Sequence, residues 1–212
     1  TSTRILIIST LCCVLFCIFA PTFIYIILLK LEKALEILKN GGVILYPTDT
    51  IWGIGCDATN VEAINKIFEI KKREKTKSMI ILVENERRLQ DLVDVPEMAW
   101  QSIDLSEKPV TIVYENPKNL PKEILAEDGS IGIRLVKDDF CKKLISKLNK
   151  PLVSTSANFS GDKSPLKFSD ISQELIDAVD YAVEENRESV SKYSGSSVIK
   201  IWSDGRVKVL RE

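Results

Sequence analysis

From Leu31 onward, short apolar runs alternate with stretches in helical period, and this alternation restricts the fold more than any single motif does. Val43–Tyr46, Met79–Val83, Val110–Tyr114, Ile131–Val136 and Pro151–Ser154 read as strands. Between them Leu31, Ala34, Leu35 and Leu38 keep helical spacing up to a stop signal at Gly41, as do Val61, Ile64, Ile67 and Phe68. Thr59-x-x-Glu62 predicts a capping box opening that second helix, which ends in Lys71-Lys72-Arg73. Helical patterns fill the stretch after Val83 to about Leu105, Phe140, Leu144 and Leu148 mark another helix, and Ile171 to Val179 a further one. Val198–Trp202 and Arg206–Leu210 flank Ser203-Asp204-Gly205 as a hairpin. The pattern predicts one α/β domain over 31–212, a twisted mixed β-sheet flanked by helices.

Residues 1–30 have a different character. Ile5 to Leu29 carries no charge over 25 residues, long enough to span a bilayer. Two readings stand: a membrane anchor, or a hydrophobic leader without function joined to a soluble domain. A cleaved signal peptide fits less well, because the run exceeds the usual apolar region. Arg4 on one side and Lys30 and Lys33 on the other do not set an orientation. Thr1 in place of an initiating Met fits a fragment or a processed chain.

Histidine is absent. That excludes Ser-His-Asp and Cys-His nucleophilic systems, His-ligated zinc or iron, and imidazole acid–base steps. Carboxylates, amines, guanidinium groups, hydroxyls, amides or a metal carried in by a ligand remain. The 29 Lys plus Arg nearly balance the 30 Asp plus Glu. Residues 1–30 supply only Arg4 and Lys30, so the net −1 of the whole chain leaves about −3 on 31–212, which argues against a dedicated nucleic-acid-binding domain. Cysteines at 12, 13, 17, 56 and 141 form neither a zinc pattern nor a disulfide framework, and a reducing compartment follows.

Several local patterns bear on chemistry. Gly53-x-Gly55-x-x-Ala58 superficially matches a dinucleotide fingerprint, but Pro47–Trp52 separates it from the strand and Arg73 stands where an acid belongs; two glycines in a tight turn are the better reading. Lys71 and Arg73, with Lys75 and Lys77, either form a solvated helix end or hold a polyphosphate. Ser154-Thr155-Ser156-Ala157-Asn158, placed just after a buried strand, is either a polar turn or a ligand site at a strand's carboxyl end.

Taken together, Tyr46-Pro47-Thr48-Asp49-Thr50, Gly53-Ile54-Gly55, Lys71-x-Arg73, Gly129-Ser130-Ile131-Gly132-Ile133-Arg134 and Ser154-Thr155-Ser156-Ala157-Asn158-x-Ser160-Gly161 make the chain resemble the YrdC/Sua5 family in its short form. The resemblance covers nearly all of 31–212 and implies the YrdC-like α/β fold. It also implies a nucleotidyltransferase activity, L-threonylcarbamoyladenylate synthase. This activity joins L-threonine, bicarbonate and ATP with release of pyrophosphate, for threonylcarbamoyladenosine at position 37 of tRNA. Mg2+ accompanying ATP, a downstream threonylcarbamoyl transferase complex and a cytoplasmic location are implied with it, and no resident metal site is.

By the same resemblance Lys71, Arg73, Ser156 and Asn158 are the catalytic candidates, and Lys71, Arg73, Lys77, Ser130, Ser154, Ser156, Asn158 and Arg211 surround ATP. Thr50, Thr111, Arg134 and Ser196 are assigned to L-threonine, with Arg134 pairing its carboxylate. The chain departs from the family at Glu74 and Ser78, near the Lys-x-Arg motif, and at Leu82, near which many members carry histidine. A competing reading from another class is a module that contacts tRNA or other double-stranded RNA without catalysis.

Overall fold

In the computed structural model, which describes residues 29–73 and 79–212, the apolar runs become one nine-stranded sheet. A first helix, α1, covers 29–39. The strands are β1 (Ile44–Tyr46), β2 (Gly53–Gly55), β3 (Ile80–Val83), β4 (Val110–Tyr114), β5 (Ile131–Leu135), β6 (Leu152–Ser156), β7 (Tyr181–Ala182), β8 (Ser197–Ile201) and β9 (Val207–Arg211). They lie in the order β7-β1-β2-β6-β3-β5-β4-β8-β9. The sheet is mixed: β1 with β7, β3 with β5 and β4 with β8 are parallel, and the other neighbours are antiparallel. The helices are α2 (Val61–Ile70), α3 (Glu86–Leu92), α4 (Glu97–Leu105), α5 (Asp139–Leu148) and α6 (Gln173–Ala178).

Strand alternation divides the core into two layers. Leu45, Ile54, Ile81, Ile133 and Val153 face one side, where they pack with residues of α2, α3, α4 and α6. Ile44, Tyr46, Leu82 and Leu152 face the other, under α1 and α5.

Three local expectations are corrected. The cap of α2 is Asn60, whose side chain accepts from Ala63 N; the proposed Thr59–Glu62 box does not form, because Asp57 Oδ1 already takes Thr59 N at 2.8 Å and Thr59 Oγ1 at 2.7 Å. Gly53 and Gly55 are strand residues of β2 rather than a tight turn. Ser154, Thr155 and Ser156 lie inside β6 rather than after it, and β6 is antiparallel to both β2 and β3, so the parallel-sheet argument for a ligand site there does not apply.

Gly55 is needed for close approach. A Cβ at this position would lie 2.2 Å from the Val153 carbonyl oxygen and 2.7 Å from the Tyr46 ring. Gly55→Ala should therefore lower unfolding free energy by about 3 kcal/mol, the upper end for overpacking, as measured by the urea midpoint. A loss below about 1 kcal/mol would show that β2 and β6 can part locally.

Candidate active site

The sheet face that carries Tyr46, Leu82 and Leu152 under α1 and α5 continues along the strands into polar residues. Alternation puts Gly53, Ile80, Ser154, Ser156, Arg134, Val198 and Arg211 on this same side, and all of them line an open cleft of about 220 Å³. Register sets the order: Gly53 stands opposite Ser156, Ile80 between Ser154 and Gly132, and Val198 between Thr111 and Arg211. Three guanidinium groups, those of Arg73, Arg134 and Arg211, border one cavity.

Arg134 is 3% exposed. Its Nη2 lies 3.0 Å from Asp49 Oδ1 and its Nη1 donates to Thr50 Oγ1 at 3.2 Å. Thr50 is held in turn by Thr48, whose Oγ1 is 3.0 Å from Thr50 Oγ1 and donates to the Ile51 carbonyl at 2.7 Å. Next to this group Arg211 donates from Nε and Nη2 to the Ser196 carbonyl at 3.1 and 2.9 Å. Ser196 Oγ and Thr111 Oγ1 share a 2.7 Å hydrogen bond in the interior. Burial first, and repulsion from Arg134 second, lower the pKa of Arg211.

At the β6 end Arg73 follows α2 and donates from Nη1 to Thr155 Oγ1 at 3.3 Å. Ser154 and Ser156 lie on the cleft face of β6, and Thr155, which alternates to the other face, also borders the cavity through its contact with Arg73. Partial burial lowers the pKa of Arg73, but a guanidinium keeps its charge where an ammonium gives it up. Such a site suits a ligand with phosphates and a carboxylate.

The remaining candidates are placed differently. Lys71 is 1% exposed and turned away from the cleft lining, its Nζ donating to the carbonyls of Ser156 and Asn158. Asn158 folds its own loop, with Nδ2 donating to the Phe159 and Asp162 carbonyls, and its buried Oδ1 has no hydrogen-bond partner among the described residues. Ser130 donates from Oγ to Asp128 at the start of β5, and Thr111 sits behind Ser196; neither lines the cleft. Lys77, like Lys75, Glu74 and Ser78, lies outside the described residues. Leu82 is buried beneath the cleft, opposite Arg134 in the β3–β5 register.

Sequence reasoning did not single out Thr48, Trp52, Ser164, Ser194 and Gly195 as cleft residues. Gly195 had a findable signal only in retrospect of the fold: a Cβ there would come within 3.3 Å of the Arg211 guanidinium.

The α/β sheet thus carries, on one face, a cleft whose three guanidinium groups offer forked donors to an anionic ligand. The Sua5/YciO/YrdC family model, described as telomere recombination, matches residues 36–212, and the chain belongs to that family. A Methanocaldococcus jannaschii protein, provisionally named a threonylcarbamoyl-AMP synthase, is 34% identical over 186 residues, 85% of this chain and 86% of its own. The threonylcarbamoyl-AMP synthase of Pseudoalteromonas translucida is 34% identical over 160 residues, 73% of this chain and 85% of its own. Among solved structures, a P. abyssi Sua5 variant superposes with TM-score 0.75 at 25% identity, covering 85% of this chain and 55% of that one. This chain thus spans about half the length of the Sua5 chain. E. coli YciO superposes with TM-score 0.73 at 24% identity, covering 86% and 88%, which speaks for the fold alone.

Lys71 supports a pH prediction. Burial, then repulsion from Arg73, push its ammonium down to about 7 from 10.5. Below about pH 7 both folded and unfolded chains hold the proton, and the full cost of burying the cation stands. Between that value and the ordinary lysine value the unfolded chain binds the extra proton, so the Lys71 contribution to unfolding free energy rises with pH. Lys71→Met removes this titration together with the donors to two carbonyls. It should be less stable by about 1–3 kcal/mol at pH 9 and by less at pH 6.5, from urea midpoints. A gap that stays flat or narrows as pH rises would contradict this account.

Proposed function

We propose that this protein synthesises threonylcarbamoyl-AMP from L-threonine, bicarbonate and ATP, releasing pyrophosphate. The observation that carries the reading is one cleft with a buried, carboxylate-paired Arg134 beside Thr50 and, along the same face, Arg73 with the hydroxyls of β6. Relatives that are 34% identical over most of both chains bear the name of this activity. The P. abyssi Sua5 structure with L-threonine and a HypF structure in phosphate- and nucleotide-bound form share the fold at 23% and 19% identity.

In this reading the threonine carboxylate meets Arg134 and Thr50, which leaves its amine directed along the cleft. The amine attacks bicarbonate and water leaves, giving the carbamate. A carbamate oxygen then attacks the α-phosphorus of ATP in line, and pyrophosphate departs with its electron pair. Such a transfer asks the protein for alignment and charge neutralisation, not for a covalent intermediate or an imidazole. Arg73 follows the phosphate oxygens as charge moves onto the pyrophosphate, and Ser154 and Ser156 orient the nucleotide. Asn158 Oδ1 offers a buried acceptor to the same ligand, and Lys71 fixes the loop that carries it. Mg2+ is proposed as part of the nucleotide substrate. Among the described residues no group of three or more Asp, Glu, Cys or His is placed to hold a metal ion.

The proposal extends to a cytoplasmic location, consistent with free, buried Cys56 and Cys141. Among the described residues no helix is long and apolar enough to cross a membrane, and residues 5–28 of the apolar run lie outside them. The product would pass to a threonylcarbamoyl transferase complex acting on tRNA.

Pyrophosphate release, with each co-substrate omitted in turn, tests the reading. It should require both threonine and bicarbonate, and ATP hydrolysis indifferent to both would end it. Hydrogen bonds to charged groups are worth about 1.5–3 kcal/mol, so Arg73→Ala should lower the threonine-dependent rate about 10- to 150-fold. Lys72→Ala should change it less than about twofold, because Lys72 is ion-paired with Glu174 at the exposed surface, an interaction of small worth. Equal effects at the two positions would reduce the cluster to bulk charge.

A further inference from the structure

Two of the cleft's guanidinium groups differ in how their charge is balanced. Arg134 Nη2 lies 3.0 Å from Asp49 Oδ1, an ion pair by distance without hydrogen-bond alignment, and the Asp49 side chain is itself only 9% exposed. Asp49 is held by its own contact, Lys137 N to Oδ2 at 3.4 Å, and Thr50 fixes the Nη1 edge of Arg134. The Arg134 Nε is buried and has no hydrogen-bond partner among the described residues. Arg211 is supported by the Ser196 carbonyl and hydroxyl, both neutral. Among the described residues no carboxylate lies within ion-pair distance of it.

From this asymmetry we infer that Asp49 is a positioning and specificity-determining residue: its charge holds the Arg134 guanidinium at this end of the cleft and cancels it, so that this end takes the carboxylate of a zwitterionic amino acid and refuses a polyphosphate. The inference rests on the proposed function. A neutral Arg–Asp pair still offers directed N–H donors to a monoanion whose own ammonium is close by. A pyrophosphate group at the same place would meet the Asp49 carboxylate at short range in a poorly screened site, and like charges there are strongly unfavourable. Arg211, with no counter-charge, remains the place for phosphate oxygens. Amino acid and nucleotide are thereby sorted to separate ends of one cavity, which an in-line attack between them requires.

The test is Asp49→Asn, which keeps shape and one acceptor while removing the charge. Steady-state pyrophosphate release is measured with threonine or ATP varied and added pyrophosphate as inhibitor, alongside the thermal midpoint. The variant should raise the KM for threonine at least about tenfold with kcat changed less than about threefold. In the variant, pyrophosphate should become competitive with threonine, whereas in the wild type it competes with ATP only. A threonine KM within about twofold of wild type overturns the inference. So does a joint fall of kcat and midpoint without the new competition, which would mark Asp49 as merely structural. Should the variant not fold, labelled threonine bound to the wild-type protein is challenged with pyrophosphate: retention supports the sorting, and displacement overturns it. Threonine-independent ATP hydrolysis in the wild type would strike the proposed function instead, and the binding challenge would still read the sorting.

Discussion

Strand β6 lies between β2 and β3, antiparallel to both, although its residues come late in the chain. Its placement joins the two halves of the sheet through a strand that begins apolar at Leu152 and Val153 and ends in the hydroxyls of Ser154, Thr155 and Ser156. Val153 enters the layer under α2, while Ser154 and Ser156 line the cleft. The far end of β6 is then tied to the end of α2 by Lys71, whose Nζ serves the carbonyls of Ser156 and Asn158 and whose own carbonyl accepts from Ser160 N at 3.2 Å. Arg73 reaches Thr155 because this tie fixes the turn from which it projects. A lysine at 71 thus shapes the site through backbone geometry, with two of its three ammonium donors committed to these carbonyls.

Polar groups on the cleft face are stable because the opposite face contributes a largely apolar layer. Leu45, Ile54, Ile81, Ile133 and Val153 are all at most 2% exposed. With that layer intact, the cleft side can carry Thr50, Thr111, Arg134 and Ser196 buried, each with a polar partner. Glycine makes the approach close enough. Gly55 lets the Val153 carbonyl and the Tyr46 ring come together, and Gly132 lets Ile80 and Thr111 meet above it.

The strands were largely legible because their period is two and their runs are bounded by turn residues: β4 falls on Val110–Tyr114 as the pattern indicates. Strand β7 was not, since two residues, Tyr181 and Ala182, carry no periodicity, and only pairing with β1 makes them a strand. The α2 cap was misassigned because Thr59 and Asn60 are both good caps, and Asp57 decides between them through a local side-chain contact. The motif residues Thr50, Arg134, Ser154, Ser156 and Arg211 meet in one cleft, yet nothing in their spacing shows that β5, β6 and β9 present one face. That follows from strand order, which depends on contacts far apart in sequence. Contacts of Lys71 with two carbonyls and of Ser130 with Asp128 were equally invisible in the sequence, because their partners are set by the fold or by the turn before β5.

The absence of histidine and the presence of three arginines at the cleft belong to one chemical logic. Burial lowers the pKa of a cationic amine, and Lys71 shows the size of the effect at about 7. A guanidinium begins from a much higher value, so Arg73 and Arg211 remain cations although burial lowers both. A site built from such groups keeps its charge across the physiological pH range and has no proton of its own to trade. Reactions that suit it are those in which the nucleophile arrives already anionic and the leaving group departs as a stable polyanion. In the proposed reaction a carbamate attacking ATP meets both conditions, and the proton that the amine gives up leaves in the water released from bicarbonate.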